Sequence, residues 1–190
     1  MTNRPAVFVD RDDTIIDTTA VTRSDPIPGD LYDPSRATLI TGSADALLRL
    51  KRAGFAVVVY TSQGGVARGS GTLRDCDAVN DAMRRLLTEA TGDPHLLAAV
   101  YFCPFHPKGT VAPFNREHPW RKPGPGMLTA AALELGLDLA RSWAIGDKPR
   151  DCEAAVAAGI DPSRAILVGT SGEPTARCRD LAAAAALVTG

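Results

Sequence analysis

The 190-residue sequence predicts an α/β fold in which a central, mostly parallel sheet is covered by helices on both sides. Three observations carry that prediction. Short apolar runs alternate with longer amphipathic stretches along the chain, as strand and crossover-helix units do. Two of the runs, Ala6-Val7-Phe8-Val9 and Phe55-Ala56-Val57-Val58-Val59-Tyr60, are apolar throughout, which fits strands buried on both faces. The runs end in carboxylates, hydroxyls or glycines, and ligands bind at the carboxyl ends of strands in open parallel sheets.

Length and composition fit one globular domain spanning 1–190, with 45% hydrophobic and 23% charged residues. A formal charge of -1 offers no electrostatic footprint for nucleic acid or an anionic membrane. No apolar segment is long enough to span a bilayer, and Met1-Thr2-Asn3-Arg4-Pro5 leads straight into the first strand. A cytoplasmic protein is therefore expected, and it is read as a monomer. Cys76, Cys103, Cys152 and Cys178 are scattered, without the close spacing of a disulfide framework, and read as reduced thiols.

The first strand breaks into Asp10-Arg11-Asp12-Asp13-Thr14. Residues two apart on an extended chain point the same way, so Asp10 and Asp12 should aim at one spot. Like charges held that close call for a cation between them, and hard oxygen ligands favour magnesium. A turn with a helix cap explains an isolated Asp-Asp-Thr equally well, so the decision rests on residues further along.

Residues 17–34 are polar and carry Pro26, Pro28, Gly29 and Pro34, which predicts a flap loop. Ser43 to Gly54 reads as an amphipathic helix, with Ser43 as N-cap and Gly54 as its stop. The strand of residues 55–60 follows, ending in Thr61-Ser62-Gln63-Gly64-Gly65, a turn whose backbone N–H groups suit an anion. Leu73 to Ala90 predicts a long helix with Val79, Met83, Leu86 and Leu87 on one face. Leu97 to Phe102 reads as a third strand, and residues 103–120 as an irregular loop. Arg121-Lys122-Pro123-Gly124 would by itself be a solvated cationic turn.

Met127 to Leu135 predicts a helix stopped by Gly136. Trp143-Ala144-Ile145-Gly146-Asp147 then repeats the opening pattern of strand, glycine and carboxylate. A helix from Cys152 to Ala158 follows, with Asp151 as its cap. Residues 165–169 form a last strand and residues 180–188 a terminal helix without evident chemistry.

Taken in order, Asp10-Arg11-Asp12-Asp13-Thr14, Thr61-Ser62-Gln63, Arg121-Lys122-Pro123 and Gly146-Asp147-Lys148-Pro149-Arg150-Asp151 resemble the four motifs of the haloacid dehalogenase (HAD) superfamily, across roughly residues 5–170. Val66-Ala67-Arg68-Gly69 extends the likeness to subfamily IIIA, which contains heptose-bisphosphate and histidinol-phosphate phosphatases. The resemblance implies a three-layer Rossmann-like fold with no large cap domain. It also implies a magnesium-dependent phosphatase working through an aspartyl-phosphate. A small phosphorylated sugar, most like heptose 1,7-bisphosphate, is the expected substrate, with histidinol phosphate as the alternative. An inactive binding module of the same fold is a reading of a different class, and the near-neutral charge disfavours a nucleic-acid end phosphatase.

Carried over residue by residue, Asp10 is the nucleophile and a magnesium ligand. Asp12 is the general acid and base, and a ligand through its backbone carbonyl. Asp147 completes the metal site, Thr61 and Lys122 hold the phosphoryl group, and Ser62, Gln63, Arg68, Arg121 and Lys148 line the substrate site. Acid catalysis near neutral pH asks for a raised Asp12 pKa.

The sequence departs from that family in three places. Position 13 is Asp where the subfamily favours Gly, and Ser62 stands where Asn is common. Zinc ligands of the related loop fall on Cys103, Phe105, His118 and Trp120; phenylalanine and tryptophan cannot ligate, so zinc is not expected. Cys103, His106 and His118 offer a three-ligand substitute with no clear fourth. Prolines at 104, 107, 113 and 119 and packing of Phe105, Phe114 and Trp120 should hold this loop instead. The flap at 17–34 and the substrate loop at 103–120 should gate an open site.

Overall fold

The structure, a computed structural model, describes residues 3–169 and 177–190. Met1 and Thr2, the start of the expected lead-in to the first strand, lie outside the described residues. The elements in chain order are β1 (Ala6–Val9), α1 (Thr18–Val21), α2 (Ser43–Arg52), β2 (Ala56–Ser62), α3 (Gly65–Arg68), α4 (Leu73–Thr91), β3 (Ala99–Cys103), α5 (Gly126–Leu135), β4 (Trp143–Gly146), α6 (Pro149–Ala157), β5 (Ala165–Leu167) and α7 (Leu181–Thr189). The strands make one five-stranded sheet in the order β3-β2-β1-β4-β5, and every pair is parallel.

Alternation of side chains along the strands divides the interior into two cores. Val7, Val9, Val57, Val59, Ile145 and Ile166 face one side, where they pack with Leu47 and Leu50 of α2, Met83 and Leu87 of α4, and Leu181 of α7. Ala6, Phe8, Val58, Tyr60 and Ala144 face the other, against Met127 and Leu128 of α5 and Ala154 of α6. Burial on both faces is why these runs carry no polar residue until the strand ends. The layers are helix, sheet, helix, and no segment among the described residues builds a large cap over them.

Strand order reverses beside β1, where the chain returns from β3 to place β4 next to it. That junction is where ligands bind in doubly wound sheets. The backbone N–H of Asp10 donates to the carbonyl of Ile145 at 2.9 Å, so the end of β1 is tied to β4.

Local differences from the sequence reading have identifiable causes. Helix α2 is capped by Gly42 in the left-handed region (φ 81°), with no side-chain cap; Ser43 is its first residue and its buried hydroxyl caps nothing. Strand β2 continues through Thr61 and Ser62 because both still pair with β3, opposite Phe102 and Cys103. The flap is not all loop: Asp17 accepts from the N–H of Ala20 and starts α1. Helix α6 begins at Pro149, three residues before the expected start, a position where a missing N–H costs nothing.

Candidate active site

Asp10 follows β1 and Asp147 follows β4, and the parallel pairing of these strands sets the two carboxylates side by side at the sheet's carboxyl edge. Asp151, in the first turn of α6, folds back toward them. Gly146 makes that possible, since a Cβ there would overlap the Asp151 side chain. Asp10, Asp147 and Asp151 are buried, each offers an oxygen within 4.8 Å of the others, and they are the one metal-competent group among the described residues.

Lys122, only 3% exposed, reaches into this group from the loop before α5. Its Nζ donates to Asp10 Oδ1 at 2.6 Å and Asp151 Oδ1 at 2.7 Å, and lies 3.9 Å from the centre of the Tyr60 ring. Burial alone would lower the lysine pKa, but Asp10 and Asp151 raise it above its ordinary value. Asp151 Oδ2 also accepts the backbone N–H of Lys148 at 2.9 Å, so one carboxylate caps the helix and orients the lysine. The sequence reading gave Asp151 the cap alone.

Burial pushes the Asp10 carboxyl well above its ordinary value; Lys122 opposes this, while Asp151, Asp147 and Asp12 reinforce it. Asp147 is raised by burial and by Asp151, against the pull of Lys148, whose Nζ lies 3.1 Å from Asp147 Oδ2. Three buried carboxylates therefore face two ammonium groups, Lys122 buried and Lys148 partly exposed. Such hard, crowded oxygen donors fit a magnesium ion.

Asp12 points elsewhere. Its Oδ1 accepts from Arg11 Nη2 at 3.1 Å and Thr18 Oγ1 at 2.6 Å, and its Oδ2 from Thr61 Oγ1 at 3.0 Å and Gln63 Nε2 at 2.7 Å. Burial favours its neutral form, but Arg11 and these donors outweigh burial and hold the carboxyl below the usual range. This corrects the expectation of a raised Asp12 pKa. Arg11 is fully buried and donates its Nη1 to Asn80 Oδ1 at 2.8 Å, which locks it against Asp12.

A cavity of about 240 Å³ opens above these groups, lined among others by Asp10, Asp12, Thr61, Ser62, Lys122, Asp147 and Lys148, with Pro28 and Gly29 of the flap on one edge. The Ser62 hydroxyl is buried beside it without a hydrogen-bond partner. Gln63 lies beneath, bonded to Asp12 and Thr61. Arg68 and Arg121 do not line this cavity: Arg68 Nη2 binds both oxygens of Asp30 in the flap at 2.7 and 2.9 Å, and Arg121 lies beside Gly64 and His106. Burial and the neighbouring charges of Arg121, Arg68 and Lys108 hold His106 below its ordinary pKa, which marks a cationic rim.

Sequence reasoning missed Arg11, Asn80, Thr18 and the second role of Asp151. The last was signalled by the closing Asp of Gly146 to Asp151; a buried arginine between two aspartates carries no such signal. In the substrate loop, Phe105 stacks on His118 with centroids 4.1 Å apart and planes 5° from parallel, and Phe114 and Trp120 pack edge-on against this pair. His106 and His118 each accept a backbone N–H at Nδ1, and together with Cys103 they do not gather into a metal-competent group.

Known proteins resemble this chain in sequence and fold. Residues 119–189 match the HAD-hydrolase-like family model. The D-glycero-beta-D-manno-heptose-1,7-bisphosphate 7-phosphatase of Escherichia coli (strain K12) is 37% identical over 173 residues, covering 90% of this chain and 84% of that protein. A HAD-like phosphatase structure from Mesorhizobium loti superposes with a TM-score of 0.80 at 33% identity, over 100% of this chain and 88% of that one. The D,D-heptose 1,7-bisphosphate phosphatase of B. bronchiseptica, solved with magnesium and phosphate, gives 0.74 at 30% identity over 97% of both chains. Similarity to these relatives over most of the chain, together with a carboxylate group suited to magnesium at the strand switch point of a parallel sheet that carries no large cap among the described residues, shows that the chain belongs to the HAD-like hydrolases and is a phosphatase related to the heptose-bisphosphate phosphatases.

Proposed function

We propose that this chain removes the 7-phosphate of D-glycero-D-manno-heptose 1,7-bisphosphate through an aspartyl-phosphate on Asp10. The observation that carries this reading is the Lys122 ammonium bridging Asp10 and Asp151, with Asp147 alongside, at the floor of the cavity.

The Asp10 carboxylate attacks phosphorus as the bond from phosphorus to the sugar oxygen breaks. Lys122 Nζ holds the non-attacking oxygen of Asp10 and meets the incoming phosphoryl group; Thr61 Oγ1 and the unpartnered Ser62 Oγ are positioned to donate to its oxygens. Asp10, Asp147 and the backbone carbonyl of Asp12 would hold a magnesium ion, whose positive charge would offset the charge that develops on those oxygens.

Asp12, ionised at rest, first takes up a proton from solvent and then gives that proton to the departing sugar oxygen. In the second displacement it takes one from the water that attacks phosphorus, while the Asp10–phosphorus bond breaks and the carboxylate is restored. The resting hydrogen bonds favour the ionised Asp12 that this second step needs. At rest Thr61 Oγ1 donates to Asp12 Oδ2 at 3.0 Å, and turning that hydroxyl to a phosphate oxygen would remove one donor that disfavours the protonated form.

The cationic rim of Arg68, Lys108 and Arg121, with Arg150 lining the cavity beside Arg121, supports a substrate with a second anionic group. Pro28 and Gly29 of the flap border this site, whereas no residue of 103–120 lines it, and the free cysteines suit a reducing compartment. Phosphate release from heptose 1,7-bisphosphate and from histidinol phosphate, with magnesium and then with EDTA, tests the reading. Preference for the heptose by about tenfold or more in kcat/KM is expected, with EDTA abolishing turnover. Equal, feeble rates on both would overturn the substrate assignment.

A further inference from the structure

Asp13 is the one non-glycine residue with a positive φ, 55°, among the described residues. Left-handed backbone is unfavourable for a residue with a Cβ, and aspartate is tolerated there when its side chain bonds locally. Here it bonds across to the flap. Asp13 Oδ1 accepts the Thr19 backbone N–H at 2.7 Å and Oδ2 accepts Thr19 Oγ1 at 2.5 Å. The preceding Asp12 takes Thr18 Oγ1, so two consecutive aspartates grip two consecutive threonines of α1.

Helix α1 in turn carries the far side of the flap. Thr22 Oγ1 donates to Thr18 O at 2.6 Å and accepts the Gly29 N–H at 2.8 Å, and Pro28 and Gly29 line the catalytic cavity with Asp13 and Thr19. We propose that Asp13 is a positioning residue whose carboxylate clamps α1 and, through Thr22, holds the Pro28–Gly29 edge of the flap over the phosphoryl site. The residue at position 13 thereby sets how firmly this capless site is covered.

The kinetic consequence rests on the phosphatase reading; the structural consequence does not, and the two are measured separately. Asp13→Gly removes the clamp while relieving the backbone, so it isolates the contact from strain. By hydrogen exchange, amides of residues 18–22 and Gly29 in Asp13→Gly should exchange about tenfold faster than in the parent, with the sheet strands unchanged. Thr19→Val, which loses only the hydroxyl bond, should lie between the two. Asp13→Asn, which keeps an acceptor for the Thr19 N–H, should return toward the parent.

With p-nitrophenyl phosphate and magnesium, Asp13→Gly should lose about tenfold in kcat/KM, mostly through KM. Unchanged flap exchange in Asp13→Gly, exchange that quickens equally in the strands, or an Asp13→Asn variant as fast as Asp13→Gly would each overturn the clamp. A parent that hydrolyses no phosphomonoester would overturn the phosphatase reading, and the exchange comparison would still decide the clamp.

Discussion

Replacing Lys122 by methionine keeps the apolar stem and removes the ammonium, so the loss reports on charge rather than volume. In the parent, a side chain with 1% exposure separates two buried carboxylates at 2.6 and 2.7 Å. Removing one partner of a buried ion pair costs about 3–5 kcal/mol. For a chain of this size each kcal/mol lowers Tm by about 2–4 °C, so a fall of about 6–20 °C is expected in EDTA at pH 8. The deficit should depend on pH with a defined sign. Asp10 already titrates above the ordinary 3.8, and losing Lys122 raises it further. A carboxyl with a raised folded pKa imposes no penalty below its unfolded value and an increasing one as pH rises through the folded value. The gap between variant and parent should therefore be smaller at pH 5 than at pH 8. Magnesium should narrow it at pH 8 by taking over part of the neutralisation. Thermal unfolding followed by circular dichroism measures this, and a variant within about 2 °C of the parent at both pH values would refute the reasoning.

Arg11→Met removes the cation that, together with the Thr18 and Gln63 donors, overcomes burial at Asp12. The Asp12-dependent limb of the pH profile of kcat/KM should move to higher pH, and an unmoved limb would contradict the assignment. Gly146→Ala sets a methyl group against Asp151 and should cost about 1–3 kcal/mol by denaturant unfolding, together with most activity. Phe105→Ala breaks the stack with His118 and the edge contact with Phe114, and should destabilise by about 1–3 kcal/mol. Stability of the parent should not change with added zinc or its chelator.

What could be read from the sequence was what chemistry or double-sided burial forces on residue type. The apolar runs of β1 and β2 announced a buried parallel sheet, and Asp10, Asp12, Thr61, Lys122 and Asp147 were singled out through motifs resembling the family's, without which Lys122 reads as part of a solvated turn. Boundaries blurred where polar residues stay in the ladder, as Thr61 and Ser62 do. Arg11 was not legible because its burial depends on Asn80, 69 positions away. The depressed pKa of Asp12 follows from that pair and from Thr18, a flap residue, so no local pattern foretold it. Helix α1 was signalled by Asp17 but overshadowed by the prolines that follow. Phe105 and His118 stack on one another, a contact that residue types permit but do not dictate.

The central claim is that Asp10 becomes phosphorylated during turnover. Acid-quenching the enzyme in the presence of magnesium and a phosphomonoester labelled in its phosphoryl group, followed by peptide mapping, tests it directly. The label should appear on Asp10 and be absent from Asp10→Asn, which should also lose activity by several orders of magnitude. Label on another residue, or an Asp10→Asn variant as fast as the parent, would contradict it.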